Sequence, residues 1–235
     1  MSKLFCWQMI DVFQSDVQTT QPGRWLEINI MGFTFAYFQH VLFSKCKTVK
    51  FVNPGAAQVM MHETDKEDLQ DIVDGCQLVG KEPHLVFFPV NNAGVNISSK
   101  GSHWSLLVFD GSQGQFISFD SMNGSNQQAA ALLAKQLLPF MTRQTEEADQ
   151  KDQKQHSGEK LICANCPQQT NSSDCGVYTL AISRFLADRW SSGKTVFDQD
   201  AQEALHTAIN PSTVASTRND IRKYVAHVTE LQSKQ

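Results

Sequence analysis

The sequence has no long uninterrupted apolar run, no basic tract and no second Cys-x-x-Cys pair. The first absence excludes a membrane-spanning helix, which needs about 20 consecutive apolar residues. The second removes the footprint of a nucleic-acid-binding protein: Lys and Arg total 20 against 24 Asp and Glu, for a net charge of −4. The opening residues, Met1 to Ile10, lack a long apolar segment followed by a small-residue cleavage site. The expectation is therefore no signal peptide and a cytoplasmic and/or nuclear protein. In such a reducing compartment the six cysteines (Cys6, Cys46, Cys76, Cys163, Cys166 and Cys175) are expected as thiols. Cys163 and Cys166 form the lone C-x-x-C, and neither His156 nor Cys175 is well placed to complete a zinc site. No metal and no cofactor are expected. There is no internal repeat, and 235 residues with 41% hydrophobic content fit a single domain over 1–235.

The most informative segment present is Pro167-Gln168-Gln169-Thr170-Asn171-Ser172-Ser173-Asp174-Cys175-Gly176. It sets a cysteine at the start of the apolar run Val177–Ala187, read as a buried helix. The partial positive charge at a helix start favours a thiolate. The cysteine's own N–H and a nearby amide side chain, here Gln169, suit a developing oxyanion. This is the chemistry of a cysteine hydrolase, if the chain also supplies a base and a group to orient it.

It does so in His103–Asp110 and Gln115–Asp120, two compact apolar runs read as strands and joined by the hairpin-length loop Gly111-Ser112-Gln113-Gly114. Folding about that loop sets Ser105 opposite Asp120, with His103 the diagonal neighbour of Asp120 on the same face. Diagonal Cβ atoms lie roughly 7–8 Å apart or less, within reach of an imidazole–carboxylate hydrogen bond. The register is the sensitive step, because a slip of one residue sends the two side chains to opposite faces. Taken singly, each element has a plainer account: a structural His–Asp contact, and a core cysteine.

Together, His103-Trp104, Phe119-Asp120-Ser121 and Gln169…Asp174-Cys175-Gly176 resemble the Ulp/sentrin-specific cysteine proteases. Gln14-Ser15-Asp16-Val17, Trp25-Leu26, Gly32–Phe38 and Asp120-Ser121…Ser125-Asn126 resemble the branch that acts on the ubiquitin-like modifier Nedd (Rub). The resemblance spans about residues 8 to 190. It implies an α+β, papain-like fold of the Ulp/adenovirus-proteinase type, with a mixed central sheet flanked by helices. It implies Cys175 as nucleophile, His103 as general base, Asp120 as its orienter and Gln169 as oxyanion donor. It implies that Trp25 and Trp104 roof a narrow channel for the modifier's Gly-Gly tail; a slot too tight for any Cβ selects glycine. The implied partner is a Nedd-type modifier and its conjugates, bound by a monomer, with no nucleic acid and no membrane. Two positions depart from the pattern: Glu27-Ile28 stand where the family commonly has Asn-Asp, and Ser173 stands where an aromatic residue is usual. A SUMO or ubiquitin protease of the same fold, an acetyltransferase and an inactive modifier-binding module are the other readings.

The remaining pattern gives a buried helix from Trp25 to about Phe43, a helix after Asn53-Pro54-Gly55 and a solvated acidic helix over Glu63–Asp74. A strand is expected over His84–Val90, and an amphipathic helix from Asn126 to Met141 with Ser125 as cap. Asn91–Ser102 is a polar connection to His103, and 144–158 reads as a flexible charged insertion. A strand over Leu161–Asn165 and helices over Asp198–Ile209 and Pro211–Leu231 complete the chain.

Overall fold

The structure, a computed structural model, describes residues 2–78, 84–95, 101–141 and 161–234. The insertion expected at 144–158 lies outside the described residues. The chain divides into two compact units: one holds residues 47–120 and 124–164, the other 1–46, 121–123 and 165–235.

The first unit is built on a five-stranded sheet ordered β3-β4-β5-β6-β7. Its strands are β3 (Val49–Phe51), β4 (Leu85–Asn91), β5 (Trp104–Asp110), β6 (Gln115–Phe119) and β7 (Leu161–Cys163). β4, β5 and β6 run antiparallel, while β3 and β7 join at the two edges in parallel, so the sheet is mixed. β4 and β5 are buried almost throughout, which is why they read as continuous apolar runs and not as alternation. Three helices among the described residues belong here. α3 (Pro54–His62) starts with Asn53 accepting from Gly55 N–H and with proline at its first position. α4 (Lys66–Gly75) is capped by Asp65, which accepts from the N–H groups of Glu67 and Asp68. It begins later than Glu63, because the Glu63 carboxylate instead closes a turn on the N–H groups of Thr64 and Asp65. Its buried residues are Leu69 and Val73, one turn apart. α5 (Gln127–Met141) buries Ala130, Leu133, Ala134 and Leu137 at helical spacing against Phe88, Leu107, Phe109 and Phe116 of the sheet.

The second unit opens with a hairpin, β1 (Lys3–Trp7) and β2 (Ile10–Phe13), and the short helix α1 (Gln14–Gln18). The sequence pattern gave no sign of this hairpin, whose turn residues Gln8 and Met9 both take positive φ without being Asn or Gly. α2 (Ile28–Tyr37) follows and ends in a wide π turn over Phe38–Leu42, with Phe43 N–H donating to Phe38 O at 2.8 Å. Helices α6 (Cys175–Ser191), α7 (Gln199–Ala208) and α8 (Pro211–Ser233) complete the unit. α6 buries Cys175 through Ser183 without a break. α8 packs through the stripe Val214, Arg218, Ile221, Val225 and Val228, so one charged residue lies on its buried face. No described helix is long and apolar enough to cross a membrane.

Candidate active site

His103 sits one residue before β5, and Asp120 one residue after β6. The pairs Leu106–Phe119 through Asp110–Gln115 extend to Ser105 opposite Asp120, the expected register. Both side chains are buried, and His103 Nε2 lies 2.6 Å from Asp120 Oδ1. A carboxylate only accepts, so Nε2 carries the proton and Nδ1 holds the lone pair of the neutral ring. The second carboxylate oxygen accepts from Asn126 N–H at 2.7 Å.

Two asparagines fix this pair further. The Asn126 amide donates to the carbonyls of Val90 (3.1 Å) and His103 (3.2 Å), joining β4 to the histidine's own backbone. Asn92 Oδ1 accepts from the N–H groups of Ser102 (2.7 Å) and His103 (3.2 Å). His103 is thus held at its N–H, its C=O and its ring. Gly101 (φ +79°) allows this approach: a Cβ there would lie 1.9 Å from Asn91 Oδ1. Trp104, the first residue of β5, is buried and paired with Asn91.

The other expected residues lie in the second unit. Cys175 is the first residue of α6 and only 3% exposed. Its backbone N–H is among the four that a helix start leaves without a helical partner. Gly176 lets α6 start hard against its neighbours, because a Cβ would meet Met31 Sδ at 3.2 Å and Leu26 Cβ at 3.3 Å. Trp25 is 52% exposed, and its indole N–H donates to Ser172 O at 2.6 Å. Ile28, at 45% exposure, opens α2 and so stands on the surface close to Trp25 in sequence. Gln169 is held at three points: its N–H donates to Ser121 O, its Oε1 accepts from Ser121 Oγ, and its Nε2 donates to Asn171 O at 2.6 Å. The amide has a second N–H, the donor that an oxyanion role requires. Burial pushes the Tyr178 phenol up, with the Asp174 charge adding to it, so the hydroxyl stays a neutral donor toward Gln168 O.

In the loop before Cys175, Asn171 Oδ1 accepts from the N–H groups of Ser173 (2.9 Å) and Asp174 (3.0 Å) and from Ser173 Oγ (3.1 Å). This turn occupies the position where the family pattern has an aromatic residue. Asp174 precedes the helix without capping it through its side chain. Its carboxylate turns instead to Asn171 Nδ2 and to Arg218.

Residues 24–213 match the Ulp1 protease family, C-terminal catalytic domain. The chain belongs to that family. It is a cysteine protease with the Ulp1-like α+β fold. It is 28% identical over 210 residues to human (Homo sapiens) sentrin-specific protease 8, a match covering 88% of each chain. It is 29% identical over 192 residues to NEDD8-specific protease 1 of Arabidopsis thaliana, covering 81% of this chain and 78% of the other. Among solved structures, SUMO protease Ulp1 with its catalytic cysteine oxidised to a sulfenic acid superposes with a TM-score of 0.65 at 19% identity, covering 97% and 89%. The Ulp1-like SUMO protease catalytic domain of Chaetomium thermophilum also gives 0.65, at 16% identity, covering 94% and 80%. These two likenesses speak for the fold alone.

Asn92, Asn126 and Arg218 are the residues that sequence reasoning assigned no such work. Asn126 was legible as part of the motif Asp120-Ser121…Ser125-Asn126 and as the residue opening an amphipathic helix, but not as a clamp on His103. Arg218 carried a clear signal, a charge on the apolar stripe of α8.

Proposed function

We propose that the chain is a thiol isopeptidase that cleaves after the terminal Gly-Gly of a Nedd-type ubiquitin-like modifier, processing precursors, removing the modifier from lysines, or both. The observation that carries the chemistry is the His103–Asp120 bond, with the second carboxylate oxygen fixed on Asn126 N–H. An imidazole committed to a carboxylate through Nε2 exchanges protons through Nδ1. In this reading Nδ1 takes the Cys175 proton, and the sulfur attacks the carbonyl of the modifier's last glycine. The Cys175 N–H and the Gln169 amide steady the oxyanion, where one donor is worth about 10²–10³ in turnover. Nδ1–H then protonates the leaving amine, and water, activated by His103, hydrolyses the thioester. Trp25 and Trp104 border the tail of the modifier.

The Nedd preference is supported by relatives named sentrin-specific protease 8 and NEDD8-specific protease 1, each matched over more than three quarters of its length. The test is labelling with Nedd, SUMO and ubiquitin, each bearing a C-terminal electrophile. The expected result is a Nedd adduct on Cys175, absent from Cys175→Ala. An adduct with SUMO or ubiquitin but not Nedd defeats the substrate assignment, and cleavage by Cys175→Ala defeats the nucleophile assignment.

A further inference from the structure

We propose that Arg218 is the positioning residue of the nucleophile loop, joining it to the segment that carries Trp25. The proposal rests on Cys175 being the nucleophile. Arg218 lies on α8 beyond residue 213, where the family match ends. It is 3% exposed, and nothing apolar about its guanidinium explains its place among valines and isoleucines. Its hydrogen bonds do.

Nη1 donates to the carbonyls of Thr19 and Gln21, both at 3.0 Å. Nη2 donates to Arg24 O at 2.8 Å, Ser173 O at 3.2 Å and Asp174 Oδ1 at 2.6 Å, and Nε donates to the same carboxylate oxygen at 3.1 Å. A guanidinium has five N–H groups in one rigid plane. Here it meets five acceptor oxygens: three on the strand of chain leading to Trp25, two on the residues immediately before Cys175. The same two segments are joined again by Trp25 Nε1–H on Ser172 O, and by Gly176 against Leu26. One cation therefore fixes the spacing between the start of α6 and the exposed indole. It also holds the Asp174 carboxylate away from the start of α6, which explains why Asp174 forgoes the capping bond open to it.

Lysine cannot reproduce this, since an ammonium offers three donors that do not lie in a plane. The test uses the full chain, Nedd carrying a C-terminal coumarin amide, and three variants: Arg218→Lys, Arg218→Met and Asp174→Asn. Circular dichroism fixes a temperature at which each is folded. We expect kcat/KM to fall about 100-fold in folded Arg218→Met, the cost of misplacing reacting groups by about 1 Å. Alkylation of Cys175 by iodoacetamide, which needs no bound tail, should stay within a few-fold of wild type. Arg218→Lys should recover thermal stability more fully than kcat/KM. Asp174→Asn, the milder variant should Arg218→Met fail to fold, should lose about 10-fold in kcat/KM. Folded Arg218 variants and Asp174→Asn with wild-type kcat/KM, beside an inactive Cys175→Ala, overturn the positioning role alone. Loss of kcat/KM in step with loss of alkylation overturns it too. A Cys175→Ala that still cleaves removes the nucleophile on which the proposal stands.

Discussion

At the scale of single residues, Asn126 shows how one side chain serves several partners. Its amide joins Val90 O and His103 O, while its backbone N–H holds Asp120. Asn126→Ala removes the first two bonds and keeps the third. Two buried carbonyls then lose a donor, at about 1–3 kcal/mol each at most. We expect kcat to fall by 10- to 100-fold with KM little changed, together with a lower urea midpoint; steady-state kinetics beside denaturation curves check both. The His–Asp pair was legible in the sequence because a hairpin loop of known length fixes its own register. The asparagines were not, because a clamp between the end of β4 and the histidine backbone joins positions that no periodicity links.

The elements that could be read were those whose burial repeats. β4, β5, β6, α5 and α6 declare themselves by apolar runs or by a stripe every three to four residues. The β1–β2 hairpin escaped because its turn carries the wrong residues. Gln8 (φ 50°) and Met9 (φ 61°) both occupy the left-handed region, and Met9 is 98% exposed. Each non-glycine residue there costs roughly 1–2 kcal/mol. Replacing the pair with Asn-Gly, which suits a two-residue turn of this hand, should raise stability by about 1 kcal/mol. A rightward shift of the urea transition at unchanged slope is the expected reading. An unchanged midpoint would mean the turn is not strained.

For the protein as a whole, the ring cluster of the second unit links stability to alkaline pH. Tyr37 and Tyr224 stack at 4.2 Å, the Tyr37 hydroxyl meets His227 Nδ1 at 2.7 Å, and Arg184 donates to the Tyr224 hydroxyl. Burial pushes the Tyr224 phenol up to about 12 from 10.0. The folded state therefore holds this proton more tightly than the unfolded chain does. Stability from this group is intact below about pH 10 and is lost as the pH climbs toward 12. Denaturation midpoints should fall across that window, and Tyr224→Phe should flatten the fall. Such a stack could not be seen in advance, since its rings come from α2 and α8, far apart in the chain and joined only by folding. The mixed sheet order was foreseeable in kind, with antiparallel neighbours around a hairpin; the parallel partners β3 and β7 depend on long returns that local pattern does not encode.

The indole of Trp25 is half open to water yet anchored through its N–H to Ser172 O. Tryptophan emission lies to the red in water and moves to the blue when the ring is covered. Under the proposed role of Trp25, its brightness and colour become a gauge of occupancy: a modifier tail laid across it would displace solvent, shift the spectrum and shield the ring from acrylamide. Subtracting the signal of Trp25→Phe removes the background of the other tryptophans. On that proposal the enzyme carries its own optical readout of docking, with no dye attached.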